Sequence, residues 1–140
     1  MEIKNGLQIH SYDGEGYKPV VDYGSWRVAL LNPTINFDVK DITTMQRHVE
    51  TDEVFVLIAG KCVLFVASDC DEPDGLHGEL LEPMKIYNVP KAYWHTHVLR
   101  ENAKVLIVEN RETTAENSPH IKINESLKNQ IIEISEGLLN

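Results

Sequence analysis

Histidine and carboxylate side chains with the types and spacing of metal ligands occur in two segments of this chain. The first segment places His48 and then Glu53 before an apolar run that stops at Gly60, and the second contains His95 and His97. Imidazole and carboxylate groups together bind divalent ions such as zinc, iron and manganese. Because both segments have the pattern of β-strands, we predict that they direct these side chains into one interior, where they could hold a divalent ion.

The alternation of side chains along a strand decides which of these groups face the same way. Residues two apart share a face, so Gln46 points with His48, and His95 points with His97. Glu53 opens a strongly apolar run, which indicates a carboxylate at the mouth of an apolar interior. Such a carboxylate must have a partner, because an unpaired buried charge is costly.

The elements that must position these groups are short apolar runs rich in Val, Ile, Phe and Tyr and separated by Gly, Pro, Asn and Asp. This pattern is typical of many short strands, and about eight of them predict an all-β protein with a closed barrel or a jelly roll. The clearest runs are 26–31, 35–39, 43–48, 54–59, 62–67, 85–89, 94–99 and 104–109.

Two connections between these runs have distinct compositions. Gly60 lies between two strongly apolar runs, where a tight hairpin needs a positive φ, so we predict that the flanking strands are antiparallel neighbours. Residues 68–78 are polar and contain glycine, which predicts an exposed loop at one end of the barrel.

The chain changes character after residue 110. Residues 120–123 are a candidate edge strand, and Asn124 is a suitable N-cap for a helix over residues 125–138. An apolar stripe predicts that this helix packs outside the barrel or against a second subunit. Gly137 is the predicted C-terminal cap. The stripe consists of Leu127, Ile131, Ile134 and Leu138.

Length and charge exclude several classes of protein. The 140 residues fit one domain, with a barrel over about 20–124, and the formal net charge of −9 argues against a nucleic-acid partner. The longest apolar stretch, 54–67, is interrupted and cannot span a bilayer, and the amino terminus lacks the basic-then-apolar pattern of a signal segment. We therefore expect a cytoplasmic protein without a membrane partner.

Two cysteines are too few for a disulfide framework, and Cys62 is predicted to be a buried thiol.

Taken together, the two segments resemble the motifs of the cupin superfamily. The first cupin motif ends in a histidine, a gap of three or four residues, a glutamate, six residues and a glycine, and His48, Glu53 and Gly60 have this spacing. The second motif contains a proline, any residue, a glycine, two residues and a histidine. Residues 90–95 fit it, with Ala92 in place of the glycine.

This resemblance implies a cupin-type antiparallel β-barrel, jelly-roll-like, with a C-terminal amphipathic helix. It also implies that His48, Glu53 and His95 occupy metal-ligand positions. Gln46 stands where the family usually has another histidine, and the cupin-like phosphomannose isomerases use such a Gln-x-His pair at zinc. Gln46 is therefore a candidate ligand, and His97 is the candidate that completes the set. Spacing does not choose between zinc, iron, manganese and nickel.

Three classes of function are compatible with these features. The first is a metal-dependent, isomerase-like protein that acts on a carbohydrate or an organic acid, with Glu53 as the catalytic proton-transfer group. The second is a small-molecule-binding domain without catalysis or metal, and the third is an oligomerisation module. A homodimer is compatible with all three. The aromatic residues predicted to line the pocket rim are Tyr87, Tyr93 and Trp94.

Overall fold

The computed structural model describes residues 1–100 and 102–140. It contains short strands, two 3-10 helices at Val39–Asp41 and Ala115–Asn117, and one α-helix, α1, at Glu125–Leu139. The strands are β1 (Glu2–Lys4), β2 (Leu7–Ile9), β3 (Gly16–Tyr23), β4 (Trp26–Asn32), β5 (Thr44–Gln46), β6 (Glu53–Ala59), β7 (Cys62–Val66), β8 (His77–Leu80), β9 (Tyr87–Val89), β10 (His95–Leu99), β11 (Lys104–Asn110) and β12 (His120–Lys122).

Two five-stranded antiparallel sheets form the body of the protein. One has the order β12-β5-β10-β7-β8, the other has the order β3-β4-β11-β6-β9, and β1 and β2 form a separate hairpin. Apolar side chains from the inner faces of both sheets meet in a core that includes Phe55 and Val105 from one sheet and Cys62 and Leu64 from the other. The predicted all-β, jelly-roll-like architecture is confirmed.

A second core lies between helix α1 and the outer face of the sheet that contains β7. Ile131 of the helix packs with Met45, Val63 and Phe65 from that sheet. These strand residues alternate with those of the inner core, because successive side chains on a strand point to opposite faces. The amphipathic helix therefore packs outside the two sheets, as predicted, but Leu138 of its predicted stripe is exposed.

The start of helix α1 is as predicted, and its end is not. Asn124 is the N-cap, and its side-chain oxygen accepts a hydrogen bond of 2.8 Å from the backbone N–H of Leu127. The helix continues through Gly137 to Leu139, so Gly137 is not the C-terminal cap. Leu139 is buried in the helix-side core, and its burial outweighs the cost of one glycine in the last turn.

Two predicted elements, 35–39 and 68–78, differ from the structure in type or in extent. The run 35–39 is not a strand: the side chain of Asp38 accepts from the backbone N–H of Lys40 at 2.9 Å and starts the 3-10 helix Val39–Asp41. The predicted loop 68–78 ends earlier, because His77 already belongs to β8, which pairs with β7.

The prediction of a hairpin around Gly60 is wrong. Strand β6 pairs with β9 and β11, whereas β7 pairs with β8 and β10 in the other sheet. Gly60 has φ +71°, and a Cβ atom there would lie 2.5 Å from the Cα atom of Ala103. The connection therefore carries the chain from one sheet to the other, and the two strands face each other across the core instead of pairing.

Strand β3 has no counterpart among the predicted runs. It is an edge strand with a register shift between Pro19 and Val21, where it pairs with β4. Proline and polar residues are tolerated at an edge but weaken the strand pattern in the sequence.

Within the described residues, no helix is both long and apolar enough to cross a membrane. The cytoplasmic location and the homodimer stay predictions.

Candidate metal centre

His48, Glu53 and His95 lie together in the interior between the two sheets. His48 follows β5, His95 begins the neighbouring strand β10, and Glu53 begins β6 in the facing sheet. Glu53 Oε2 lies 2.8 Å from His48 Nε2 and 2.9 Å from His95 Nε2. One ligand atom from each residue lies within 4.8 Å of the others, and all three residues are buried. Both sheets thus contribute to one His-Glu-His group.

Hydrogen bonds to the second ring nitrogens decide how the imidazoles face Glu53. His95 Nδ1 donates to the carbonyl oxygen of Tyr93 at 3.0 Å. His48 Nδ1 lies 2.7 Å from Ser118 Oγ, and that hydroxyl donates to Asn117 Oδ1 at 3.2 Å, so Ser118 accepts from His48. Protons on both Nδ1 atoms leave both Nε2 atoms directed at the carboxylate.

The ligand atoms of His48, Glu53 and His95 have the chemistry that a divalent ion requires. A neutral imidazole with its proton on Nδ1 presents a lone pair at Nε2, and Glu53 Oε2 also presents lone pairs. These atoms repel one another unless protons or a cation lie among them. Imidazoles held by backbone and hydroxyl partners on the far nitrogen are typical of metal-binding histidines.

The pKa values of Glu53 and His48 in this group, and of the nearby His97, are shifted. Burial raises the pKa of Glu53, but hydrogen bonds with His48 and His95 outweigh it and bring this pKa to about 2. Burial lowers the pKa of His48, yet its hydrogen bond and charge interaction with Glu53 leave it above the ordinary value. Burial lowers the pKa of His97 to about 4, so this ring is neutral near pH 7.

The other two predicted ligands, Gln46 and His97, line the same cavity of about 360 Å³. Gln46 pairs directly with His95 in the register of β5 and β10. Its neighbour Met45 is buried in the helix-side core, as alternation requires. Among the described residues, His97 lies outside the group whose ligand atoms are within 4.8 Å of one another. Metal ligation by Gln46 and His97 stays a prediction.

The aromatic residues predicted for the pocket rim have other contacts. The Tyr87 hydroxyl accepts from the backbone N–H of Glu82 at 2.9 Å. Trp94 precedes His95 and so lies on the opposite face, in the helix-side core, where its Nε1 donates to the carbonyl of Cys70 at 2.8 Å. Tyr93 packs against the inner core. A pocket role for Tyr87, Tyr93 and Trp94 stays a prediction.

Sequence reasoning did not single out four polar residues that line the cavity: Tyr17, Arg27, Glu109 and Ser118. Arg27 and Glu109 are direct partners in the register of β4 and β11, and Arg27 Nη2 lies 2.8 Å from Glu109 Oε1. The Tyr17 hydroxyl also donates to Glu109 Oε1, and burial, together with this hydrogen bond, raises the pKa of Tyr17. The sequence did contain a signal for this ion pair: Arg27 lies near the start of the predicted strand 26–31, and Glu109 lies at the end of the predicted strand 104–109.

This sequence matches no protein-family model and no curated protein. Its fold is similar to that of a cupin-2 domain containing protein from Shewanella frigidimarina, with a TM-score of 0.51 and 20% identity over 71% of this chain and 85% of that one. The nucleoside dehydratase Pac13 from Streptomyces gives a TM-score of 0.57 and 11% identity over 82% of this chain and 87% of that one.

A third similar structure is the QdtA 3,4-ketoisomerase from Thermoanaerobacterium thermosaccharolyticum in complex with TDP. Its TM-score is 0.53, with 18% identity over 81% of this chain and 75% of that one. These similarities show that the chain has the cupin fold. The resemblance carried by the two sequence motifs is thereby confirmed at the level of the fold.

Proposed function

We propose that this protein is metal-dependent and acts on a small polar molecule, a carbohydrate or an organic acid, at a divalent ion held by His48, Glu53 and His95. The observation that carries this proposal is the convergence of both Nε2 atoms on Glu53 Oε2 at 2.8 and 2.9 Å in a buried site. The cavity of about 360 Å³ beside the group is large enough for a small ligand.

The reaction class that we propose is isomerase-like. His48, Glu53 and His95 would hold the divalent ion, which would supply Lewis-acid chemistry towards a carbonyl or hydroxyl oxygen of the ligand. Glu53 is the proposed proton-transfer group, and Gln46 and His97 are the proposed additional ligands. The Gln46-x-His48 pair supports isomerisation through its similarity to the phosphomannose isomerases. The 3,4-ketoisomerase of similar fold is consistent with this class, although at 18% identity it shares only the fold.

A second candidate function is a small-molecule-binding domain without catalysis or metal. One observation favours it: the pKa of His48 is raised, and a proton on His48 Nε2 would donate to Glu53 Oε2 at 2.8 Å without any ion. In this case the group is a buried ion-pair network in the wall of a binding cavity.

Metal analysis of protein purified without a histidine tag separates the two candidates. We expect about one divalent ion per chain in the wild type and less than about a tenth of that in His48→Ala and His95→Ala. His77→Ala is the matched control, because His77 is exposed and pairs with Glu79 away from the cavity. Absence of metal after supplementation with zinc, iron, manganese and nickel would overturn the metal-dependent proposal and favour the binding domain.

A further inference from the structure

Glu109 is a second buried carboxylate in the cavity, and its two oxygens have different surroundings. Oε1 lies 2.8 Å from Arg27 Nη2 and 3.2 Å from Arg27 Nε, and it also accepts from the Tyr17 hydroxyl. Oε2 is buried and has no hydrogen-bond partner among the described residues. The side chain is only 3% exposed. All three donors therefore converge on one oxygen, and the other is left free.

The Arg27 guanidinium that contacts Glu109 Oε1 is itself held by two backbone carbonyl groups. Arg27 Nη1 donates to the carbonyl of Arg111 at 3.2 Å, and its Nη2 donates to the carbonyl of Thr113 at 3.1 Å. The guanidinium is thus anchored to the segment after β11 and holds Glu109 Oε1 in place.

The free oxygen lies beside the candidate metal centre. Glu109 Oε2 is 3.8 Å from His48 Nε2, which is beyond hydrogen-bond distance, and both residues line the same cavity. Among the described residues, Glu109 is outside the group whose ligand atoms lie within 4.8 Å of one another. Its position suits contact with a ligand next to the metal better than contact with the metal.

We infer that Glu109 Oε2 accepts a hydrogen bond from a hydroxyl group of the ligand, and that the site therefore takes a polyhydroxy compound such as a sugar or a nucleoside. An ionised carboxylate only accepts hydrogen bonds, so the ligand must supply a donor. A carboxylate group placed there would have no donor and would meet a like charge. A site built to bond a hydroxyl discriminates strongly against analogues that lack it, because its own polar atom is then left unpaired. This inference rests on the proposed function and narrows its ligand to one class.

Ligand binding to metal-loaded protein tests the inference. We would load the wild type with Zn²⁺ or Mn²⁺ and measure thermal shifts and calorimetric affinities for ribose, glucose, galactose and uridine. Acetate, pyruvate and succinate, which have no hydroxyl group, provide the comparison. We expect at least one neutral polyol to bind and the three acids to bind at least about tenfold more weakly. Preference for the acids, or binding of no polyol, overturns the inference.

The Glu109→Gln variant tests the residue itself. The amide keeps the shape but turns its NH₂ group towards the cavity when its oxygen faces Arg27, so the acceptor becomes a donor. We expect polyol affinity to fall about tenfold or more with metal content unchanged. Glu133→Gln, on the exposed side of helix α1, is the matched control. Unchanged polyol affinity overturns the inference, and loss of metal shows Glu109 to be a ligand, which also overturns it.

A second measurement decides the question if Glu109→Gln does not fold. Singly deoxygenated analogues of the bound polyol are titrated into the wild type, and removal of the hydroxyl that contacts Glu109 should weaken binding about tenfold or more. If no single deoxygenation weakens binding, the inference is wrong. Metal content is measured in every sample, so wild type without metal counts against the proposed function, whereas metal-loaded protein that fails these tests counts against Glu109 alone.

Discussion

His48 Nδ1 lies 2.7 Å from the hydroxyl oxygen of Ser118, a residue 70 positions later in the chain. Ser118 is buried and directly precedes Pro119, whose carbonyl accepts from the backbone N–H of Arg47. One backbone and one side-chain hydrogen bond therefore hold the segment before β12 against the residues that follow β5. This relationship fixes the orientation of His48 towards Glu53.

Ser118→Ala should weaken metal binding without removing it. The substitution deletes the acceptor that holds the proton on His48 Nδ1, and loss of such a partner typically costs 10–100-fold in affinity, on the order of 1–3 kcal/mol. Competition with a chromophoric chelator measures this affinity. Ser126→Ala, at an exposed position of helix α1, is the control and should bind metal like the wild type. Equal affinities in Ser118→Ala and wild type would show that the hydrogen bond does not orient the ligand.

The stability of the chelator-treated protein should depend on pH through His48 and Glu53. The pKa of His48 is raised, so its contribution is complete below the ordinary value of 6.5 and is lost as pH rises through the raised pKa. The pKa of Glu53 is lowered from 4.5 to about 2, so its contribution is complete above 4.5 and is lost as pH falls towards 2. The joint contribution is therefore largest between these ordinary values.

Urea unfolding of metal-free wild type and His48→Gln measures this contribution as a difference. We expect the difference in unfolding free energy to be larger at about pH 5.5 than at about pH 8 or pH 3. The comparison removes the general effect of a net charge of −9, which both proteins share. A difference that grows from pH 5.5 to pH 8 would contradict the assigned pairing.

Gly60→Ala should destabilise the fold more than a glycine substitution without a close contact. The new Cβ atom would meet the backbone of Ala103 at 2.5 Å, and φ is +71°. Gly24→Ala is the matched control, because Gly24 has φ +58° but a Cβ atom there would have no neighbouring atom within 4 Å. We expect a loss of about 2–4 kcal/mol at Gly60 and about 1 kcal/mol at Gly24, from denaturant unfolding. Equal losses would mean that Ala103 moves away without cost.

The two cysteines should differ sharply in reactivity. Burial raises the pKa of Cys62 to about 12, whereas Cys70 is exposed. Because the thiolate is the reactive form, native protein should release one equivalent of chromophore from a thiol reagent and the second only after unfolding. Cys70→Ser should abolish the fast phase. Fast reaction of Cys62 in the native protein would show that the inner core opens readily.

Local pattern predicted most of the strands and the helix, and each of its failures has its own physical reason. The prediction for 35–39 failed because Asp38 caps a short helix there. Strand β3 was missed because an edge position tolerates Pro19 and half-exposed residues. Gly60 was correctly placed at a turn with positive φ, yet a turn does not reveal whether the strands beside it pair or separate into facing sheets.

The sequence by itself determined the strand content, the amphipathic helix and the residue types of the His-Glu-His group, because alternation and motif spacing are local properties. Tertiary structure alone decided that β5 and β10 face β6 across a core, which brings His48 and His95 to 2.8 and 2.9 Å from Glu53. It also decided that Glu109 joins the same cavity with one oxygen free of hydrogen bonds to the described residues. Such contacts join residues far apart in the chain, and only the packing of two sheets brings them together.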